Sequence, residues 1–123
     1  MIIELDFASE EPIYLQLRNQ VVMGIAKGLL QTGEPLPTVR QMAADAGINT
    51  MTANKAYALL KNEGYIAIDR RHGAQVQVAG KEFLGAGELE LLAAEAALAG
   101  VGRESFLDMC SRMYDSMTYP VQA

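Results

Sequence analysis

Residues Leu36 to Tyr57, LPTVRQMAADAGINTMTANKAY, carry the pattern from which the rest of this chain is read. They predict two short helices joined by a tight turn. Thr38 is placed to cap the first helix, with Gln41 three residues later able to reach back as its capping-box partner. Pro37 precedes that cap, where a missing N–H costs nothing. Met42, Ala43 and Ala46 form an apolar face, and Gly47 follows at the point where a helix exits through a left-handed residue. Asn49 opens the second helix as its cap, and Gly64 closes it after Leu59, Leu60 and Glu63. Ala43, Gly47 and Ala53 are small, so two helices can cross closely with a sharp turn between them, which is a helix-turn-helix.

Immediately downstream lie two short stretches rich in β-branched residues, Tyr65–Asp69 (YIAID) and Gln75–Ala79 (QVQVA). Ile66 and Ile68, then Val76 and Val78, alternate with other residues at the period of a half-buried strand. Between them, Arg70-Arg71-His72-Gly73 forms a turn with two fixed positive charges and the single histidine. A helix-turn-helix followed by a hairpin with a basic tip is a winged helix. One helix for the major groove and a tip for the phosphates or the minor groove is the physical case for binding duplex DNA.

Upstream, Pro12 suits the first turn of a long helix running to about Leu30, with Ile13, Leu17, Val21, Ile25 and Leu29 as its buried stripe. Gly24 and Gly28 inside it are read as points of close packing. Gln31 to Pro37 is expected to be a turn. Downstream, Gly80 to Gly87 is the candidate linker, followed by helices over Glu88–Ala99 and Arg103–Thr118. Leu91, Leu92 and Leu98 make one side of the first apolar; Phe106, Met109, Cys110, Met113 and Met117 do the same for the second. So short a hairpin cannot bury both stripes against itself. It folds back onto the winged domain or packs against a second copy, and the second is expected. The expected architecture is mostly α with a small β-hairpin. A winged helix-turn-helix over residues 1–80 is followed by a helical dimerisation tail over residues 81–123.

A net charge of −5 is the strongest compositional argument against DNA binding. Its distribution largely answers the objection. Residues 81–123 carry three cations against seven acids, whereas residues 36–80 carry five cations against three acids. Exposed charges more than about 8–10 Å apart are screened at cellular salt, so the local face matters more than the total. The single cysteine, Cys110, excludes an internal disulfide, fits a reducing cytoplasm and reads as core. No apolar run approaches the roughly 18 residues of a membrane span, and the start lacks the pattern of a signal peptide. Gly85-Ala86-Gly87 lacks the Lys-Ser/Thr of a phosphate loop. With one histidine and no nucleophile–base pair, neither a metal, a cofactor nor an enzymatic activity is expected.

The motif string resembles the DNA-binding domain of the GntR family of bacterial transcription regulators. Matching residues run from Pro12-Ile13-Tyr14-x-Gln16 through Leu36-Pro37-Thr38-Val39-Arg40, Gly47-Ile48-Asn49, Ala56-Tyr57-x-x-Leu60 and Glu63-Gly64-Tyr65-Ile66 to Gly73-x-x-Val76. The short tail is similar to that of the YtrA-like subfamily, whose members use it to dimerise. The resemblance implies a winged-helix homodimer binding a palindromic double-stranded DNA operator, with repression the expected outcome. It implies DNA contact by Arg40 from the first helix of the pair. Asn49, Thr50, Thr52, Asn54 and Lys55 would follow from the recognition helix, and Arg70, Arg71, His72 and Gly73 from the wing. Leu91, Leu92, Leu98, Phe106, Met109, Met113 and Met117 would form the dimer seam.

Two departures stand out. The family's wing often reads R-G-x-G-T-F-V, whereas this chain has Arg70-Arg71-His72-Gly73-Ala74-Gln75-Val76. Met51 and Ala53 also stand where polar or larger apolar residues are common, which leaves the base preference open. With only 43 residues after Gly80, the large effector domain of other subfamilies is not expected, and no small-molecule effector is assigned. For Arg40, the intramolecular alternative is an ion pair with Glu34 or Asp45. For the whole chain, the rival reading is a winged helix that binds another protein through its acidic tail.

Overall fold

The computed structural model describes residues 3–78 and 81–119. Five helices and one hairpin follow in order: α1 (Ile13–Ala26), α2 (Val39–Ala46), α3 (Thr50–Asn62), β1 (Ile66–Asp69), β2 (Gly73–Val76), α4 (Ala86–Leu98) and α5 (Arg103–Asp115). They form two compact units. The first runs to Lys81 and includes Tyr119, and the second spans Glu82–Thr118. Among the described residues, no helix is long and apolar enough to cross a membrane.

The first unit is built on local signals that mostly act as expected. Thr38 Oγ1 accepts from the Gln41 N–H at 3.0 Å and Asn49 Oδ1 from the Thr52 N–H at 2.8 Å, so both caps form. The reciprocal half of the capping box does not: Gln41 Nε2 points down its own helix to Asp45 Oδ1. Gly47 ends α2 at φ +71°, and the Ile48 N–H reaches the Ala43 carbonyl across it.

α1 is shorter than its apolar stripe predicts, ending at Ala26. Gly28 is not a packing residue within the helix but its terminator, at φ +78°. Across it the Leu29 N–H bonds Gly24 O at 2.8 Å and the Gly28 N–H bonds Ile25 O at 3.1 Å. That pair satisfies the orphan carbonyls of the last turn and reverses the chain. Leu29 is consequently exposed, and Leu30 takes its place in the core.

That core is assembled from Leu17, Val21 and Ile25 of α1, Met42 and Ala43 of α2, and Ala53, Ala56, Tyr57 and Leu60 of α3. Ile66, Ala74 and Val76 close it from the hairpin. The strands pair antiparallel with Ile66 opposite Val76 and Asp69 opposite Gly73. β2 therefore starts two residues before the predicted Gln75, and Val78 lies beyond it. The predicted end at Ala79 and linker start at Gly80 fall outside the described residues. The Gln31–Pro37 stretch is more than a turn. Gly33 donates to Val76 O, Val76 to Glu34 O and Leu36 to Ala74 O at 2.7–3.0 Å, laying this segment along the free edge of β2.

The N-terminal segment is tied to α1 by two glutamines. Gln16, buried, accepts from the Asp6 N–H at 2.8 Å and donates to the Asp6 and Glu11 carbonyls at 3.0 and 2.9 Å. Gln20 Oε1 accepts from the Glu4 N–H at 2.8 Å while its amide donates to Glu4 O. At the other end, Tyr119 donates its N–H to Ala26 O at 2.9 Å and packs against the same core.

The second unit is a pair of helices of 13 residues each. α4 begins two residues before the predicted Glu88, and α5 stops at Asp115 rather than Thr118. No residue of either helix is buried. Leu98 is 89 % exposed, and Leu91, Leu92 and Met113 are all more than half exposed. Phe106 and Met117 are half-buried.

Candidate nucleic-acid interface

α3 has one buried side and one open side, and its sequence holds no Asp or Glu. At about 100° per residue, Ala53, Ala56, Tyr57 and Leu60 group on the inner side, facing α1 and α2. Met51, Asn54, Lys55 and Ala58 group on the outer side, all exposed. Thr50 and Thr52 fall on its two flanks, the first exposed and the second half-buried. The departure at Ala53 is thereby explained: it is fully buried, where a small residue lets α3 pack closely against the other two helices. Met51 is the opposite case, 83 % exposed on the first turn.

The position of α3 is held from several directions. The Tyr57 hydroxyl donates to Pro37 O at 2.6 Å, linking the middle of α3 to the segment that leads into α2. Burial pushes the Tyr57 phenol up to about 12 from its ordinary 10.0, because the phenolate would lose its hydration. Arg18 Nε on α1 pairs with Glu63 Oε1 at 2.8 Å, and its guanidinium lies 5.3 Å from the Tyr65 ring centroid. Lys81 Nζ stands 5.0 Å from the same centroid. Tyr57 is therefore core, while Tyr65, half-buried, serves as an aromatic platform for two cations.

The residues singled out from the sequence are placed differently from one another. Arg40 is the second residue of α2 and is exposed. Neither Glu34 nor Asp45 pairs with it: Glu34 Oε1 accepts from the Gln31 N–H and Asp45 from Gln41. A cation in a first helical turn opposes the dipole by about 0.3–1 kcal/mol, and among the described residues nothing offsets this for Arg40. Asn49 has its side-chain oxygen committed to the α3 cap, which leaves its amide NH2 as the uncommitted group of that side chain. Lys55 Nζ rests 4.0 Å from the centroid of the Tyr14 ring on α1, drawn to one side of the outer face. Sequence reasoning gave Tyr14 no role, because its partner is 41 positions away.

At the wing tip, Asp69 organises the turn. It accepts from the His72 N–H at 2.5 Å and its other oxygen lies 3.2 Å from His72 Nδ1. The His72 backbone hydrogen bond, reinforced by the His72 ring, holds the Asp69 carboxyl below the usual carboxylate range. Gly73, at φ +68°, returns the chain into β2. The side chains of Arg70 and Arg71 are exposed and make no ion pair among the described residues. An ordered turn thus presents two unneutralised guanidinium groups.

Three helices closing on one core, a helix-turn-helix with an acid-free outer face, and a hairpin with a basic tip define a winged-helix DNA-binding regulator. Residues 13–76 match the sequence profile described as Bacterial regulatory proteins, gntR family, and the chain belongs to that family. It is 34 % identical over 90 residues to the HTH-type transcriptional repressor YtrA of Bacillus subtilis, covering 73 % of this chain and 69 % of that protein. Among solved structures it is similar to YtrA from Sulfolobus acidocaldarius, a GntR-family transcription factor. That likeness has a TM-score of 0.65 and 35 % identity, over 80 % of this chain and 99 % of the other. A transcriptional antiterminator from Listeria monocytogenes is similar in fold, with a TM-score of 0.83 and 21 % identity, the match covering 100 % of this chain and 98 % of the other. The family is one of transcription regulators rather than enzymes.

Proposed function

We propose that this regulator is a cytoplasmic homodimeric repressor that binds a two-fold symmetric operator, with residues 1–80 contacting DNA and residues 81–123 joining the two copies. The observation that carries the DNA-contact assignment is the state of the arginines. Arg40 on α2 and Arg70 and Arg71 on the wing are exposed and unpaired among the described residues, and Arg40 sits where its own helix disfavours it. Such cations are suited to phosphate oxygens. Asn54 on the outer face of α3 reaches base edges and Lys55 the neighbouring phosphates, Thr50, Thr52 and the Asn49 amide contribute at the flanks, and His72 and Gly73 complete the wing contact.

Dimerisation is supported by the second unit, where Leu91, Leu92, Leu98, Met109 and Met113 are exposed and Phe106 and Met117 only half-buried. Two helices without a single fully buried residue have too little core to stand alone, and a second hairpin supplies the missing face. Symmetry then sets the site: two half-sites about one helical turn or more apart. Repression is favoured by the repressor to which the chain is 34 % identical.

A gel-shift titration on the DNA upstream of the protein's own coding region, repeated over a range of salt, tests the reading. Arg40→Ala is expected to weaken binding and to make the salt dependence shallower by about one unit of slope for each phosphate that is no longer neutralised. Unchanged affinity and slope would remove Arg40 from the interface. Wild-type protein that binds no DNA at any salt would return the rival reading, a module that binds another protein.

A further inference from the structure

We propose that Met51 reads sequence: its side chain makes an apolar contact with the C5-methyl group of a thymine in the major groove, one in each half-site. The inference rests on the DNA-binding reading above and deepens it. Met51 lies on the first turn of α3, diametrically across the helix from Ala53 and Leu60, both fully buried. No other residue of that turn occupies the middle of the outer face, since Thr50 and Thr52 fall on its flanks. The N-terminal part of a recognition helix is the part that meets base edges.

The chemistry selects the target. Among groups displayed on the floor of the major groove, the thymine methyl is the apolar one. A thioether offers phosphate nothing, but its unbranched, polarisable chain adapts to a small apolar knob. The polar neighbours do not compete for the central line. Lys55 is held aside on the Tyr14 ring, and Asn49 has its oxygen engaged in the cap. Asn54 and Ala58 flank Met51 on the outer face, one able to pair with a base and the other small enough to let the helix approach, while Asn62 lies about three turns away at the far end of the helix. A long apolar side chain left 83 % exposed at the centre of a DNA-facing surface is thus accounted for by one contact.

The test uses the full-length protein and duplexes it enriches from a random-sequence library. In the enriched duplex each thymine is replaced in turn by deoxyuridine, which deletes the methyl and leaves the hydrogen-bonding edges intact. Wild type is expected to lose about fourfold in affinity at one thymine per half-site, the worth of one buried methyl group. Met51→Ala should bind more weakly at the start and be indifferent to that same replacement, while Met51→Leu should remain sensitive. Both variants will fold, because position 51 touches no core and Ala and Leu are strong helix formers. If no thymine separates wild type from Met51→Ala, the proposal is overturned while DNA binding stands. If the library yields no enriched sequence, both fall together.

Discussion

Tyr57→Phe removes one oxygen atom from the centre of the winged unit, and its effect should depend on pH. The side chain is 1 % exposed and its hydroxyl donates to Pro37 O at 2.6 Å. Near neutral pH, removing that hydrogen bond should cost about 1 kcal/mol. For a winged unit of this size that is about 4–8 °C in Tm. The phenol is pushed up to about 12 on folding from 10.0. A raised pKa favours the neutral form, so its contribution is fully present below the unfolded value and is lost as pH rises through the folded one. At about pH 11 the unfolded chain is mostly phenolate and the folded one mostly phenol, which costs wild type about 1.4 kcal/mol. The phenylalanine variant escapes that loss, so the two proteins should converge near pH 11. Urea denaturation of both at about pH 7 and pH 11 measures the gap. The other tyrosines cancel in the comparison. A gap of constant size across that range would mean that the hydroxyl is hydrated and that α3 is not tied to Pro37.

Gln16→Ala should cost about 1–3 kcal/mol, because it strips partners from three backbone groups of the N-terminal segment; proteolysis at residues 3–11 should accelerate with it, and an unchanged digestion pattern would refute the tie. Placing Asp at both Leu98 and Met113 should yield monomers by sedimentation without lowering the melting point of the winged unit. DNA affinity should then fall by an order of magnitude or more, because the second half-site is no longer engaged by the same particle. A double variant that still sediments as a dimer would move the seam elsewhere.

Much of the molecule is legible in the amino-acid sequence because its determinants are local. A side-chain cap needs only the right residue three positions before the N–H it accepts from, and Thr38 and Asn49 cap as read. The span Thr50–Asn62 and its acid-free outer face follow from helical spacing and composition. Even the error at Gly28 is local. An apolar stripe predicts a long helix, but a glycine that can adopt a positive φ ends it sooner than periodicity suggests.

The features hidden from that reading involve partners far apart in the chain or groups without a side-chain signature. The Gly33–Leu36 stretch is held by backbone hydrogen bonds to β2, which any residue except proline can donate, so no pattern announces it. Hairpin register moved β2 forward because the turn after Asp69 sets which residues face Ile66. Pairings such as Lys55 with Tyr14 and Tyr57 with Pro37 exist only once α1, α2 and α3 have packed. Residue order alone thus specifies the succession of elements, the capped helix-turn-helix and the chemistry on its outer face. Packing specifies which of those side chains are already engaged within the molecule and which are left exposed, because that depends on distances no linear pattern contains.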